Sequence, residues 1–378
     1  MDQLARDLDL ARRVATHGEN LRITVEYQAH ARYDTTVPRL VIVLRDLYPA
    51  RLDRATREAL PRLPALERWL TQGDAEQRGG DWRQWLWREF GGSERRELPA
   101  AAIAGAAVPG MSADRPVWFA TPVHFVAGLD TVRLHPSGLL ELLAEEQQAL
   151  AADFARVFAG SGHTLHPGGR RELLLAGGEQ ASAQSVRSHD PAQWLGADPG
   201  AGLPAGQGAA ALRRLGAELE MWLHDHPVNV ARAARGLLTV NALWLWGGGA
   251  PVPAVVAGDP VGNGVVAWAD DLFVDGLARL RGGEVRAPPD RWPASMPAGI
   301  TPPELLVVRA LGAAPDRGSL LALDSDWLAP ALAQWQDGAF DRATLLVGHS
   351  AFTLGPARLR RLWRRFRRTR PWWEMVLR

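Results

Sequence analysis

Two arginines and two asparagines in one short stretch offer the clearest binding chemistry in the chain. The run His226-Pro-Val-Asn229 is followed by Arg232, Arg235 and Asn241. A guanidinium forks a carboxylate or phosphate through paired N–H donors. Arg232 and Arg235 are therefore candidate ligands for a small anion, with Asn229 and Asn241 holding the cleft around it. The same residues also read as hinge architecture, in which His226-Pro227 opens a helix and Asn241 caps a strand. His224, Asp225 and His226 do not make a metal site, because adjacent residues on a helix point apart. Gly247-Gly248-Gly249 alone is a weak signal for a phosphate loop.

A second charged feature lies near the C-terminus. Residues 358–370 hold eight arginines with Trp363 and Phe366 among them, and Pro371-Trp372-Trp373 follows. Leu359, Leu362, Trp363 and Phe366 fit a helical apolar stripe, which predicts a docking helix with its arginines in solvent. The rival reading is a nucleic-acid contact, with guanidiniums on phosphates and aromatics stacking on bases.

Composition removes several chemistries. The chain has 378 residues, no cysteine and a formal net charge of +1. Disulfides, thiolate nucleophiles and Cys-ligated metals are excluded. All 43 basic residues are arginine, so Schiff-base chemistry and a lysine-bearing phosphate loop are excluded too. The first residues are charged and lack the apolar core of a signal peptide. Apolar stretches are short and broken by Pro or Gly, well below a membrane span. These features predict a soluble cytoplasmic protein with no membrane partner.

The elements that must position such residues can be read from periodicity. Arg39-Leu-Val-Ile-Val-Leu-Arg45 is a continuous apolar run with β-branched residues, as in a buried parallel strand. Asp46 follows it, at the edge where open α/β sheets bind ligands. Leu305–Arg309 and Thr344–Val347 read as further core strands, and Asn241–Trp246 as another. Residues 60–73, 212–223 and 271–281 carry helical spacing, as does the stretch LLAEEQQALAADFARVFAG. Residues 185–208 read as a long loop. Residues 78–96, rich in Trp, Arg and Gly, match no clear pattern.

Several segments, in order, resemble the archaeal-type branch of the cofactor-independent phosphoglycerate mutases, within the alkaline phosphatase superfamily. Val43-Leu-Arg-Asp46 is similar to that family's first strand and its metal-binding Asp. LPALERWLTQG, Phe119-Ala-Thr-Pro-Val-His124, His135-Pro-Ser-Gly138 and Arg171-Glu-Leu-Leu-Leu175 resemble later segments. The strongest match runs from His226-Pro-Val-Asn229 through Asn241 to Leu243-Trp-Leu-Trp-Gly-Gly-Gly249. A proteobacterial subgroup of regulatory proteins, of the RpfE type, is also similar.

The resemblance implies a two-metal phosphoryl-transfer site, with Mn or Mg clamping a phosphate that a serine accepts and returns. It places Asp46, Asp316 and His349 among the metal ligands. Carboxylate and imidazole suit such ions, but each residue has a plainer role open to it. Asp46 can cap or close a turn, Asp316 can serve a Pro/Gly turn, and His349 can be a satisfied structural histidine. The departures are large. The family's nucleophile segment is replaced by GGDWRQWLWREFGG, with no Ser or Thr between Thr71 and Ser93. Gly318-Ser319-Leu320 stands where the resemblance expects a histidine after Asp316, and Gly348 where it expects an Asp before His349.

The expected fold is α/β: an alkaline-phosphatase-like core sheet flanked by helices, with a smaller α+β lid inserted. The core takes residues 1–115 and 237–378, and the lid takes 116–236. The expected function is that of a degenerate mutase relative, weakly catalytic or non-catalytic. It would bind a small phosphorylated or carboxylate ligand, or a protein partner, in a regulatory role. No cofactor is expected unless the metal site survives. The alternatives are an active metal-dependent mutase or phosphatase with a rearranged site, and a regulatory factor that binds nucleic acid.

Overall fold

The computed structural model describes residues 39–45, 47, 59–77, 81–90, 98–111, 114–128, 130–169, 171–177, 186–249, 266–294, 304–310, 316–355 and 370–376. Two sheets organise them. Strand β1 (Arg39–Arg45) is apolar at every interior position because both of its faces are covered. It pairs in parallel with β10 (Glu304–Ala310) on one side and β11 (Arg342–Val347) on the other. β8 (Val266–Trp268) and β9 (Glu284–Arg286) extend the sheet beyond β10. On the far side β12 (Ser350–Leu354) folds back antiparallel on β11, and β2 (Asp74–Gln77) closes the edge. The order is β2-β12-β11-β1-β10-β8-β9.

Strand alternation sends these residues to opposite faces. Leu40, Ile42 and Leu44 join an apolar cluster with α1 (Pro64–Gln72), α8 (Arg317–Leu323) and α9 (Ala329–Gln336). A π-helical turn, Asp324–Leu328, links α8 to α9. It has a structural use. The α1 N-cap position, Leu63, has no capping side chain, and Asp324 supplies one from a distance, accepting from Ala65 N at 3.1 Å and Leu66 N at 2.8 Å.

Val41 and Val43 face the other way, into a cluster built on α2 (Trp82–Glu89), α3 (Ala100–Gly105) and α7 (Leu272–Arg281). Gly276 lets α7 cross α3 closely, since a Cβ there would stand 1.9 Å from the carbonyl oxygen of Ile103.

The same cluster continues onto a second sheet. β3 (Val117–Ala127) is its long strand, with β4 (Val132–Leu139), β6 (Leu173–Gly177) and β7 (Ala242–Gly249) paired to it and β5 (His163–Pro167) beyond β6. Phe119, Trp244 and Trp246 face the shared cluster. Trp118, Leu243 and Leu245 face away, toward α4 (Ala144–Val157) and α5 (Ala209–His224), and α6 (Pro227–Ala234) follows α5.

The predicted strand at Asn241–Trp246 is present, but it pairs with β3 in this second sheet and not with the parallel core. Its two tryptophans explain the choice. Trp246 stacks on Phe119 at 4.6 Å and donates to the Thr121 hydroxyl at 2.8 Å, and Trp244 donates to the His189 carbonyl at 2.9 Å. Residues 78–96, which showed no pattern, contain α2. Asp81 caps it by accepting from Arg83 N and Gln84 N at 3.1 Å each. Among the described residues no helix is long and apolar enough to cross a membrane.

Candidate functional site

The carboxyl ends of the parallel strands are where an α/β sheet offers a ligand site. β1 ends there in Arg45, whose guanidinium is buried. Its Nη1 donates to Asp271 Oδ2 and lies 3.3 Å from Glu172 Oε1. Asp271 follows β8 and caps α7, accepting from Phe273 N at 3.0 Å. Glu172 stands just before β6 in the second sheet. A second buried arginine, Arg83 of α2, donates to Asp190 at 2.7 Å and lies 3.3 Å from Asp81 and 3.9 Å from Asp271. Its guanidinium sits over the rings of Trp82 and Trp246, at 4.2 and 4.7 Å from their centroids. Burial works against the charge on Arg83, yet the carboxylates of Asp190, Asp271 and Asp81 outweigh it and hold the group firmly protonated. Two guanidiniums thus clasp four carboxylates at this edge, and the clasp ties the first sheet to the second.

A shallow, open cleft lies beside it. One wall is α2, through Asp81, Trp82, Trp85 and Arg88; the other is the β11–β12 hairpin with His349 and Ser350. Trp82 Nε1 and Arg88 Nε are buried there and have no hydrogen-bond acceptor among the described residues. A buried N–H without an acceptor costs free energy until something supplies one. The segment that replaces the expected nucleophile and the expected histidine face each other across it.

The resemblance puts Mn or Mg near this edge, and the described residues do not fit one. Among them no three His, Asp or Glu side chains gather as a metal would require. Asp316 is exposed and caps α8, accepting from Ser319 N at 2.7 Å, a bond that holds its carboxyl below the usual range. His349 is exposed at the hairpin tip. Asp46 lies outside the described residues, as do residues 358–369 of the arginine-rich segment.

The Asn229, Arg232, Arg235, Asn241 constellation is brought together, but around protein groups. Asn229 donates to the carbonyls of Leu223 and Val240 and accepts from Val240 N, all at 2.7 Å. Asn241 makes both bonds to the Phe125 backbone at 2.8 Å. Arg232 donates to Glu146 at 2.9 Å and to the Leu238 carbonyl at 2.8 Å, and Arg235 donates to the other oxygen of Glu146. Glu146 in turn accepts from Leu143 N at the start of α4. The constellation latches α6 to α4 and fixes the approach to β7. His226 opens α6 as read from the sequence, accepting from Val228 N at 3.2 Å.

No protein-family profile and no curated protein matches the chain. Its structure is similar to that of the cofactor-independent phosphoglycerate mutase from Thermoplasma acidophilum DSM 1728. The two are 15% identical over 84% of this chain and 90% of that one, with a TM-score of 0.35. A protein from Pyrococcus horikoshii is also similar, at 13% identity over 85% and 88% of the two chains and a TM-score of 0.47.

Sequence reasoning missed Arg45, Arg83, Glu172, Asp190 and Asp271 as a group. Two signals pointed to it. An arginine closes an otherwise apolar strand, and another sits between tryptophans in Asp81-Trp-Arg-Gln-Trp85.

Proposed function

We propose that this chain is a phosphoglycerate-mutase-like binding protein that does not transfer phosphate efficiently. Its ligand is a small carboxylate or phosphate-bearing anion received in the cleft between α2 and the β11–β12 hairpin. The observation that carries this reading is the clasp: the acidic side chains at the carboxyl edge of the sheet are engaged by Arg45 and Arg83. A carboxylate committed to a buried guanidinium is a poor candidate for a divalent ion, because the two cations repel and compete for the same oxygens. The missing hydroxyl between Thr71 and Ser93 supports the same conclusion. The donors Trp82 Nε1 and Arg88 Nε support an anionic ligand. We place the lid on the second sheet, β3 to β7; because β7 pairs with β3, the lid runs past the boundary at residue 236 expected from the sequence. A regulatory role, in which ligand occupancy is passed to a protein partner, fits a site built for binding.

The test is metal content with mutase and phosphatase assays in added Mn²⁺, alongside calorimetric titration with inorganic phosphate and 3-phosphoglycerate. Binding lost in Arg88→Ala without turnover is the expected result. Stoichiometric metal with robust turnover that disappears in Asp46→Ala overturns the proposal.

A further inference from the structure

His226 is a helix cap of an uncommon kind. Its Nδ1 accepts from Val228 N at 3.2 Å, which makes the imidazole the N-cap of α6. The side chains that usually cap are carboxylates, hydroxyls and amides, which accept at any pH near neutrality. An imidazole nitrogen accepts only while it carries no proton. The bond from Val228 therefore fixes the tautomer: the neutral ring holds its one proton on Nε2. Adding a proton places it on Nδ1, where it meets the Val228 N–H donor to donor. The charged ring and the cap exclude each other.

Nothing else is placed to take over the bond. Asn229 N and Val230 N both go to the His226 carbonyl, at 2.8 and 3.2 Å, and Val228 is itself buried. Nε2 is buried too and has no hydrogen-bond partner among the described residues. The charges around the ring are few. α4 brings Asp153, whose Oδ2 stands 3.6 Å from Nε2, beyond a hydrogen bond. That oxygen already accepts from the Trp222 indole of α5 at 2.8 Å, and Oδ1 accepts from Arg156. His224 and Asp225, which end α5, are exposed. Arg232 and Arg235 of α6 are held by Glu146.

We propose that His226 is a proton-sensitive cap, through which acid opens the first turn of α6. The consequence reaches further than one bond, because α6 carries Asn229, which pins Val240 before β7, and the two arginines that latch it to α4. The device lies apart from the anion cleft and does not depend on what that cleft binds. Burial pushes the imidazole below its ordinary 6.5, with Asp153 opposing. A histidine depressed on folding stabilises the native state fully above 6.5, and that contribution is lost as pH falls through the depressed value.

The experiment uses the full chain labelled with ¹⁵N, and its His226→Asn variant, between about pH 8 and about pH 4. Asn caps well and does not titrate in that range. In the wild type the neutral ring should show the Nε2–H tautomer. The Val228 amide should shift as the ring titrates, and on the acid side it should exchange about fivefold faster after correction for intrinsic rates, the loss a helix cap typically carries. In His226→Asn that acid response of Val228 should vanish. A neutral ring protonated on Nδ1, a Val228 amide indifferent to the titration, a ring still neutral at about pH 4, or a variant that keeps the wild-type response overturns the proposal. Should the variant fail to fold, the wild-type tautomer and the joint titration of ring and amide decide alone.

Discussion

Arg83 donates to Asp190 at 2.7 Å in the protein interior, and the two residues are 107 positions apart. The pair joins α2, on the first sheet's side of the shared core, to the short turn Pro191–Trp194, which Asp190 caps. Its strength comes from context. Three carboxylates and two indole faces surround the guanidinium, so no water is needed to satisfy most of it.

Removing one partner of such a pair strands the other. Arg83→Ala should therefore destabilise the protein by about 3–5 kcal/mol in urea unfolding, and Asp190→Ala by a similar amount. The double variant should lose clearly less than the sum, because neither charge is then left alone. A strictly additive cycle would falsify a direct ionic coupling.

Arg232 and Arg235 separate architecture from ligand binding. Arg232 is buried against Glu146 and two carbonyls, whereas the Arg235 side chain is 43% exposed. Arg232→Ala should cost about 3–5 kcal/mol, and Arg235→Ala about 1 kcal/mol or less, as for other half-exposed pairs. Neither should change the affinity for phosphate at saturating folded fraction. A loss of affinity in Arg235→Ala with stability unchanged would restore the anion-binding role read from the sequence.

Asp316 offers a test of cap against metal ligand. Asn caps helices about as well as Asp. Asp316→Asn should thus keep most of the stability that Asp316→Ala loses, and neither should alter metal content. The carboxyl is held low by the Ser319 N–H, so its stabilising bond is present above the ordinary Asp range and fades as pH falls through the depressed value. Thermal midpoints of the two variants at neutral and acid pH provide the check.

What was legible in the sequence followed from local pattern. β1 was read at its observed bounds because an apolar run flanked by arginines has few other solutions. The helix beginning near Asp271 and the Pro227 start of α6 rest on residues within one turn of each other. The partners of buried charges are not local. Arg45 and Asp271 are 226 positions apart, and Ala65 and Asp324 are 259 apart. Nothing within a window of the sequence says that Arg45 points inward, or that Asp324 caps a helix it does not belong to. The partner of the arginines after the HPVN stretch is just as remote: Glu146, which takes up both, lies 86 residues before Arg232. β7 was assigned to the wrong sheet because an apolar strand carries no mark of which neighbour it pairs with.

The last prediction concerns the C-terminus. Trp372, in α10 (Trp372–Val376), is fully buried, belongs to the cluster around α1, and donates its indole N–H to the Pro61 carbonyl at 3.0 Å. Trp373 packs edge-on against it at 5.8 Å. Such an anchor contributes through both lost area and an orphaned carbonyl, so Trp372→Ala should cost about 3–5 kcal/mol. The arginines that precede it are expected to act differently. Changing Arg360, Arg361, Arg364 and Arg365 together to Gln should leave the urea midpoint within about 0.5 kcal/mol of wild type, as surface charges usually do. Filter binding to duplex DNA across a salt series then decides what those arginines are for. Each phosphate neutralised adds to the slope of log affinity against log salt. Weak binding with the same shallow slope in both proteins is the expected outcome. A steep slope in the wild type that flattens in the four-arginine variant would assign the segment to nucleic acid, and Trp372 would then be the anchor that presents it.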